Sequence, residues 1–385
     1  MKTIKENKVL FFAIFLFLIL TTPFVNTIPY LDGNIDFVQT VDFYNGGINQ
    51  YFSNWNTVHP PLKLVLVFPF YVLFGISQFI YSSMGISIGV LGIISIYFFT
   101  KDLFGRNAAN LSAILFSLCS LFIANSIFLM RDSILTVSIL ISLLFYTRKR
   151  ILFYGLSSSL AVLTKESALL LPLVIIFVEI ISAIKNKRKE LKKIHPTFFF
   201  IFLPIIIYYI WKYFLNVNSK NSWSEWIFTQ TESRGAISTI INNLITFDFI
   251  NPYAISHWKQ LFFLNFNWIY FLVITIALLY VLFSKKKDTL TPTNKKVVSS
   301  IIIFSIIYLF TILTFQTYTI PRYALPIIPF LIIIASKSVF LLKNSILKIS
   351  LILTLIIFTL LSLFFSMDPV ATHIWGKTKI FDQEI

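Results

Sequence analysis

The chain has 385 residues, of which 57% are hydrophobic and 12% are charged, and its mean hydropathy is +0.82. This polar fraction is too small to cover a water-soluble globule of this size, so a soluble protein is excluded. Long apolar runs rich in phenylalanine, 43 in all, favour membrane helices over the weakly alternating strands of an outer-membrane barrel. The predicted fold class is therefore all-α, a polytopic protein of the cell membrane with one domain over residues 1–385.

The net charge of +16 has two readings. A basic soluble face would suit nucleic acid, but here Lys and Arg form short blocks between apolar runs, which is typical of cytoplasmic loops. Because no basic soluble domain is present, nucleic acid is excluded as a partner, and the lipid bilayer is the expected one. The single cysteine, Cys119, excludes an internal disulfide.

The N-terminus carries three lysines before its first apolar run, and no small-residue cleavage site follows. It is predicted to be an uncleaved first span with a cytoplasmic N-terminus. Apolar runs of suitable composition for membrane helices lie at about 9–27, 62–82, 84–100, 108–129, 133–147, 151–164, 167–184, 197–215, 261–283, 297–316, 324–342 and 346–366.

Charge parity decides which runs cross. If both 62–82 and 84–100 crossed, the basic block at Lys101 and Arg106 and every later one would face outward, against the positive-inside rule. Parity is restored if 62–82 is an interfacial or re-entrant segment, which Pro69 within it favours. The prediction is about eleven transmembrane helices plus this non-crossing segment.

This orientation places three polar segments outside: a first loop at 26–61 with the catalytic site, a second loop at 216–260, and a short tail at 367–385. The boundary charges outside the basic blocks fall on the same face. Since unpaired charge at membrane depth costs at least ~2.5 kcal/mol, we expect these charges to converge on one cavity.

The first loop has acid at one end and base at the other. Asp32 follows the first span closely, which suits a fixed general base, but Asp32-Gly33-Asn34 is equally a helix start. On a helix that begins there, Asp36 would share the side of Asp32. His59 and Lys63 flank a stiff diproline, where they either hold a phosphate or lie in the membrane interface.

Three further positions combine charges at the ends of apolar runs. Arg131-Asp132 and Lys165-Glu166 are adjacent opposite charges, for which ion pairing within or between helices is the plain alternative to a role in a site. Arg322 has no adjacent acid, and its guanidinium beside the phenol of Tyr323 suits a phosphodiester oxygen. No metal-binding or nucleotide-binding motif accompanies them.

The order of these elements resembles a known family. The shared features are Asp32 after the first span, His59-Pro60-Pro61-Leu62, Arg131-Asp132-Ser133-Ile134-Leu135, Leu163-Thr164-Lys165-Glu166 and Pro321-Arg322-Tyr323-Ala324-Leu325-Pro326. Together they resemble membrane glycosyltransferases of the C-type fold, in the branch of protein O-mannosyltransferases and lipid A aminoarabinose transferases.

The resemblance implies a polyprenyl-phosphate sugar as donor and a site on the extracytoplasmic face. It makes Asp32 the catalytic aspartate and places His59 near the donor phosphate. It also implies that Asp132 braces the first outer loop. Lys165 and Arg322 match positively charged positions around the donor head group.

One departure from the family pattern concerns the second acid. Family members commonly have Asp-Glu where this chain has Asp32-Gly33, so the second acid is either replaced by Asp36 or absent.

The predicted function is an inverting hexosyl- or pentosyltransferase that moves a sugar from a polyprenyl-phosphate donor to a protein, lipid or glycan acceptor. Catalysis is assigned to Asp32 and Asp36. Donor phosphate binding is assigned to His59, Lys63, Lys165, Arg322 and Tyr323. Structural support is assigned to Arg131, Asp132 and Glu166. No cofactor is required in this scheme, and no metal is predicted.

Two other functions stay open. A lipid-linked oligosaccharide ligase or polymerase of the same fold would use a diphosphate-linked donor. A transporter or flippase of lipid-linked sugars would show paired repeats and polar residues at mid-membrane, whereas the sequence shows neither.

Overall fold

The computed structural model describes residues 7–30, 32–54, 60–185, 195–218, 245–246, 267–284, 291–315, 321–366 and 368–375. Within those ranges every regular element is a helix. The predicted all-α class is therefore confirmed.

The α-helices of the described ranges are, in chain order, α1 (Lys8–Thr21), α2 (Asp32–Asn54), α3 (Leu62–Phe74), α4 (Gln78–Phe104), α5 (Arg106–Ser117), α6 (Ser120–Ile127), α7 (Arg131–Thr147), α8 (Ile151–Val162), α9 (Leu170–Lys185), α10 (His195–Asn218), α11 (Trp268–Ser284), α12 (Pro292–Phe315), α13 (Ile328–Leu341), α14 (Ser345–Phe365) and α15 (Pro369–Trp375). Short 3₁₀ helices cover Thr22–Phe24, Glu166–Leu169 and Pro321–Ala324.

Four helical segments are long and apolar enough to cross a bilayer: Gln78–Phe104, Glu166–Ile184, Pro292–Ile312 and Ser345–Phe365. The pair α5 and α6 makes a fifth if it counts as one span. Six other apolar helices of the described ranges are shorter. The count of about eleven spans stays a prediction.

The segment after the first polar stretch differs from the predicted run 62–82. Its helix α3 ends at Phe74, where Gly75 adopts a φ of 81°, and Ser77 then caps the long helix α4 by accepting a hydrogen bond from the Ile80 N–H. Thirteen residues of helix are about 20 Å long, less than the ~30 Å of a hydrocarbon core. That this segment does not cross stays a prediction, because α8 is as short and was predicted to cross.

The run predicted at 108–129 is broken. Helices α5 and α6 meet at an angle of 58°, with Leu118 and Cys119 between them. Gly85 of α4 allows the close approach of α6, because a side chain there would collide with the carbonyl oxygen of Ser126. The turn that leads into α7 therefore lies directly on α4.

One hydrophobic core joins these helices. Helix α4 packs against α1, α5 and α7, α8 lies between α7 and α10, and α13 contacts α5 and α11. Phe17, Tyr97, Phe116 and Phe122 are completely buried in it. A second, smaller cluster of Val67, Tyr71, Tyr81, Leu129 and Ile134 packs α2 and α3 against α4 and the start of α7, at the end of the bundle where the charged residues meet.

Candidate active site

The candidate site is formed where several helices begin or chain turns occur. Asp32 begins α2, Arg131 begins α7, and Arg322 lies in the 3₁₀ helix Pro321–Ala324. The Leu62 N–H at the start of α3 donates to the carbonyl of Leu163, in the turn after α8. Helix starts carry partial positive charge, which stabilises carboxylates placed there. We call Asp32, Asp132, Lys165, Arg322 and Tyr323 the site cluster.

The centre of the site cluster is an ion pair between two residues that are far apart in the sequence. Arg322 Nη2 donates to Asp32 Oδ2, although the two residues are 290 positions apart. The Arg322 side chain is 1% exposed and the Asp32 side chain is 57% exposed. Arg322 Nη1 is buried and makes no hydrogen bond within the part of the chain that the structure describes. A buried guanidinium therefore binds an exposed carboxylate and keeps one buried donor without a hydrogen bond among the described residues.

Asp132 joins the two basic residues of the site cluster. Lys165 Nζ donates to Asp132 Oδ1 at 2.8 Å, and Arg322 Nε lies 3.9 Å from Asp132 Oδ2. The Tyr323 ring lies 4.3 Å from Lys165 Nζ and 5.4 Å from the Arg322 guanidinium carbon, within cation–π range. Burial lowers the pKa of Lys165, but the charge of Asp132 and two nearby tyrosines outweigh it, so the pKa is raised overall.

A second set of charges lies beside the first, and we call Asp36, Gln39, Lys63 and Arg131 the brace cluster. Asp36 accepts from Lys63 at 2.7 Å on one carboxylate oxygen and from Arg131 at 2.9 Å on the other. Arg131 also donates to Gln39 Oε1 at 2.8 Å. Burial lowers the pKa of Lys63 to about 8 against the charge of Asp36. These contacts tie α2 to α3 and α7.

The adjacent opposite charges do not pair with each other. Arg131 reaches Asp36 on α2, whereas Asp132 reaches Lys165 and Arg322. Arg131 and Asp132 therefore form ion pairs with other segments of the chain, as the predicted alternative of pairing between helices describes.

One predicted site residue, Glu166, stands apart from both clusters, and another is not described. Glu166, next to Lys165, lies near Tyr208 of α10, close enough for its charge to act on the phenol. His59 lies outside the described residues.

Gly33 stands where the family pattern has a second acid. A Cβ there would lie 3.4 Å from atoms of Phe128, Met130 and Pro29, which is ordinary packing distance. This side of α2 therefore faces protein rather than an open site. Asp36, the predicted replacement, has both carboxylate oxygens engaged by cations.

Sequence reasoning missed Asp368. Its side chain is completely buried, and its Oδ1 accepts from the N–H groups of Val370 and Ala371 at the start of α15. Burial raises its pKa, which the charge of Arg322 opposes. Asp368-Pro369 is a recognisable helix start, with proline at the first helical position, but nothing in that signal indicates Arg322 as a neighbour.

The charges of both clusters and Asp368 balance. Asp32, Asp36, Asp132 and Asp368 face the four cations Lys63, Arg131, Lys165 and Arg322. With respect to these eight described charges, an added anion either displaces a carboxylate from its cation or adds a negative charge that none of them balances. Among the described residues no group of three or more His, Cys, Asp or Glu side chains could hold a metal ion.

The sequence profile of the family described as dolichyl-phosphate-mannose-protein mannosyltransferase matches residues 58–211. This range is less than half of the chain; it includes Lys63, Arg131, Asp132 and Lys165 but neither Asp32 nor Arg322. A search of curated protein sequences finds no match.

Solved structures give a wider match. ArnT from Cupriavidus metallidurans, bound to undecaprenyl phosphate, aligns with a TM-score of 0.55 at 15% identity, over 88% of this chain and 60% of that one. The Archaeoglobus fulgidus oligosaccharyltransferase in its apo form aligns with a TM-score of 0.63 at 12% identity, over 98% and 57%. AglB from the same organism, with an inhibitory peptide and a dolichol-phosphate, aligns at 0.62 and 13% identity, over 98% and 57%.

These likenesses confirm the predicted resemblance and the C-type fold of a multi-pass membrane protein. At such low identity they establish the fold alone. The chain spans less than two thirds of the length of each of these proteins.

Proposed function

We propose that this chain is a glycosyltransferase that takes a sugar from a polyprenyl-phosphate donor and inverts its anomeric carbon. The observation that carries the proposal is the pair between Arg322, a buried cation, and Asp32, the most exposed carboxylate of the clusters. The same fold in ArnT is bound to undecaprenyl phosphate, and in AglB it is in complex with a dolichol-phosphate, which supports a lipid phosphate as ligand.

The charge balance supports a specific order of binding. A donor phosphodiester carries one negative charge, and it can reach Arg322 most readily by replacing Asp32, which is held by one cation and is exposed. Asp36 and Asp132 are each held by two cations and are buried. Donor binding would therefore free the Asp32 carboxylate at the moment when a base is needed.

The donor phosphate is assigned to Arg322 and Lys165. The guanidinium can bind two phosphate oxygens in its fork geometry, and its unused Nη1 adds a donor. Tyr323 packs under both cations and orients them. Lys63, whose ammonium is engaged by Asp36, is assigned to the brace instead, and His59 stays a predicted phosphate ligand.

In the proposed reaction, Asp32 removes the proton from an acceptor hydroxyl or amine. The acceptor atom attacks the anomeric carbon from the side opposite the phosphate, and the bond between this carbon and the phosphate oxygen breaks. The polyprenyl phosphate leaves with one more negative charge than it had in the donor, and Arg322 and Lys165 stabilise that charge. A general base accelerates such steps about 10²–10⁴-fold, and fixed cations that stabilise the leaving group often contribute more.

The site is assigned to the extracytoplasmic face, with the N-terminus in the cytoplasm. The basic blocks support this assignment, since Lys101, Arg148 and Lys149 lie at the ends of α4 and α7 that are remote from the site cluster. The acceptor is a hydroxyl- or amine-bearing glycan, lipid or protein.

A donor panel tests the proposal. The full chain in liposomes is given undecaprenyl-phosphate hexoses, undecaprenyl-phosphate aminopentoses and an undecaprenyl-diphosphate oligosaccharide, with membranes of the native host as the source of acceptor. We expect release of undecaprenyl phosphate from a monophosphate donor, and a glycoside of opposite anomeric configuration by NMR. Retained configuration, or no release from any monophosphate donor, would contradict the proposal.

The oligosaccharide ligase is the second candidate, because the match to the Archaeoglobus fulgidus oligosaccharyltransferase has a TM-score of 0.63. The same panel separates the two functions. Release of undecaprenyl diphosphate, with monophosphate donors untouched, would favour the ligase. Movement of donors across the bilayer without bond cleavage would favour a transporter.

A further inference from the structure

The short helix α15 (Pro369–Trp375) lies against the candidate site. It packs on α6 and α14, and Val370 and Ala371 are completely buried there. Its side chains contact the connection that leads to Asp32, and Asp368, directly before the helix, lies near Arg322.

On one side, α15 holds the connection that leads to Asp32. The His373 ring stacks on Tyr30, with ring centroids 4.7 Å apart and planes 5° from parallel. Trp375 lies edge-on to Phe24, with centroids 5.0 Å apart. Phe24 and Tyr30 are near the two ends of the connection between α1 and α2, so both ends of this connection rest on one helix.

On the other side, the residue directly before α15 lies beside Arg322. Asp368 Oδ1 accepts from the N–H groups of Val370 at 3.0 Å and Ala371 at 3.1 Å, which caps the helix. The Asp368 carboxylate is buried and lies close enough to Arg322 for their opposite charges to attract. The 3₁₀ helix that contains Arg322 packs on α6, as α15 does.

We propose that α15 sets the distance between the base and the phosphate-binding cation, with His373 and Asp368 as positioning residues for Asp32 and Arg322. The inference rests on the proposed function. A base and a leaving-group cation must lie on opposite sides of one anomeric carbon, and a misplacement of about 1 Å can cost about 100-fold in rate. Asp32 is exposed and begins its helix, so its position depends on the connection before it.

The stack is tested first with His373→Ala and His373→Phe. Removing the ring should lower kcat about tenfold by letting Asp32 shift, while the affinity for undecaprenyl phosphate stays within about twofold because Arg322 and Lys165 are untouched. Phenylalanine keeps an aromatic face and should restore kcat to within about twofold. Tyr30→Leu removes the stack from the other side and should reproduce the loss of kcat.

Asp368 is tested with Asp368→Ala and Asp368→Asn. Alanine removes the cap of α15 and the side chain that lies beside Arg322, so kcat should fall and undecaprenyl phosphate should bind about fivefold more weakly. Asparagine keeps the oxygen that caps α15 and fills the same space, so it should restore both values to within about twofold. Tyr213→Ala, which removes an exposed aromatic ring of α10, is the matched control and should change neither value.

The readouts separate this inference from the proposed function. If Asp32→Asn is inactive but His373→Ala and Tyr30→Leu both keep the wild-type kcat, the positioning role alone is overturned. Equal losses in His373→Ala and His373→Phe would also overturn it, since the stack would then not be the cause. Full activity of Asp32→Asn would overturn the proposed function itself.

Discussion

Helix α7 has ion pairs at both ends, and the two ends differ in burial. At its start, Asp132 binds Lys165, with side-chain exposures of 6% and 15%. Just beyond its last residue, Arg148 binds Asp102 at 2.6 Å, with exposures of 37% and 28%. A neighbouring pair at that end, Lys296 and Glu179 at 3.1 Å, is also partly exposed. We call these two the opposite-end pairs; about 25 Å of helix separates them from the site cluster.

The difference in burial distinguishes ion pairs that packing alone explains from a cluster that is a candidate for function. Half-exposed pairs contribute about 0–1 kcal/mol each and need no explanation beyond packing. Gathering eight charges, most of them buried, at one end of a helical bundle costs desolvation energy that the pairs offset only when geometry is good, so such a group is a poor source of stability. Charges kept at membrane depth are functional candidates for this reason.

The largest effect is expected from Arg322→Ala. Asp132 and Asp368 would lose a buried cation, which costs about 3–5 kcal/mol, and the donor phosphate would lose its main ligand, so transfer should fall more than about 100-fold. Thermal unfolding and donor turnover measure the two losses. Arg148→Ala at the opposite end should cost at most about 1 kcal/mol. Equal losses of stability in the two variants would remove the distinction between the ends.

A smaller effect is expected from Lys165→Met. Asp132 loses its 2.8 Å partner but keeps Arg322 at 3.9 Å, so we expect a loss of about 2–3 kcal/mol and weaker binding of undecaprenyl phosphate. Lys296→Met is the matched control in a partly exposed pair and should leave binding unchanged. Unchanged affinity in Lys165→Met would exclude Lys165 from the phosphate site.

The brace cluster should make the stability of the fold depend on pH through Lys63. Burial holds the folded-state pKa of Lys63 near 8, below the ordinary 10.5, so between these pH values the unfolded chain binds the proton more tightly. Stability from this residue therefore rises with pH across that window. From pH 8 to pH 10 the wild type should gain about 2 kcal/mol relative to Lys63→Met, measured by unfolding at both pH values. A constant difference between the two proteins would mean that Lys63 keeps an ordinary pKa.

Much of the helical architecture follows from apolar runs, and some breaks do not. The turn at Lys165 was predictable because the apolar runs 151–164 and 167–184 are interrupted only by Lys165-Glu166. The bend between α5 and α6 was not predictable, because neither of the two residues between them, Leu118 and Cys119, is a proline or glycine. The close approach of α6 to α4 depends on Gly85, which lies in another helix. The end of α3 at Gly75 lies within the run 62–82, where Pro69 and Gly75 were expected to give a broken or tilted segment.

The proximity of the charges was also predictable, but their pairing was not. Asp32, Lys165 and Arg322, which charge parity put on one face, lie together, and their roles stay predictions. Which carboxylate each cation binds depends on tertiary packing, because Arg131 bypasses its neighbour Asp132 for Asp36. No local sequence pattern encodes such a choice between helices.

The central claim is that the site cluster, and not charge pairing as such, performs sugar transfer. Asp32→Asn and Asp102→Asn test it directly, since each turns the acid of an arginine pair into an amide, one at each end of the bundle. Turnover of the active undecaprenyl-phosphate sugar should fall at least about 100-fold in Asp32→Asn, with undecaprenyl phosphate still bound, and stay within about twofold in Asp102→Asn. Wild-type turnover by Asp32→Asn would contradict the claim.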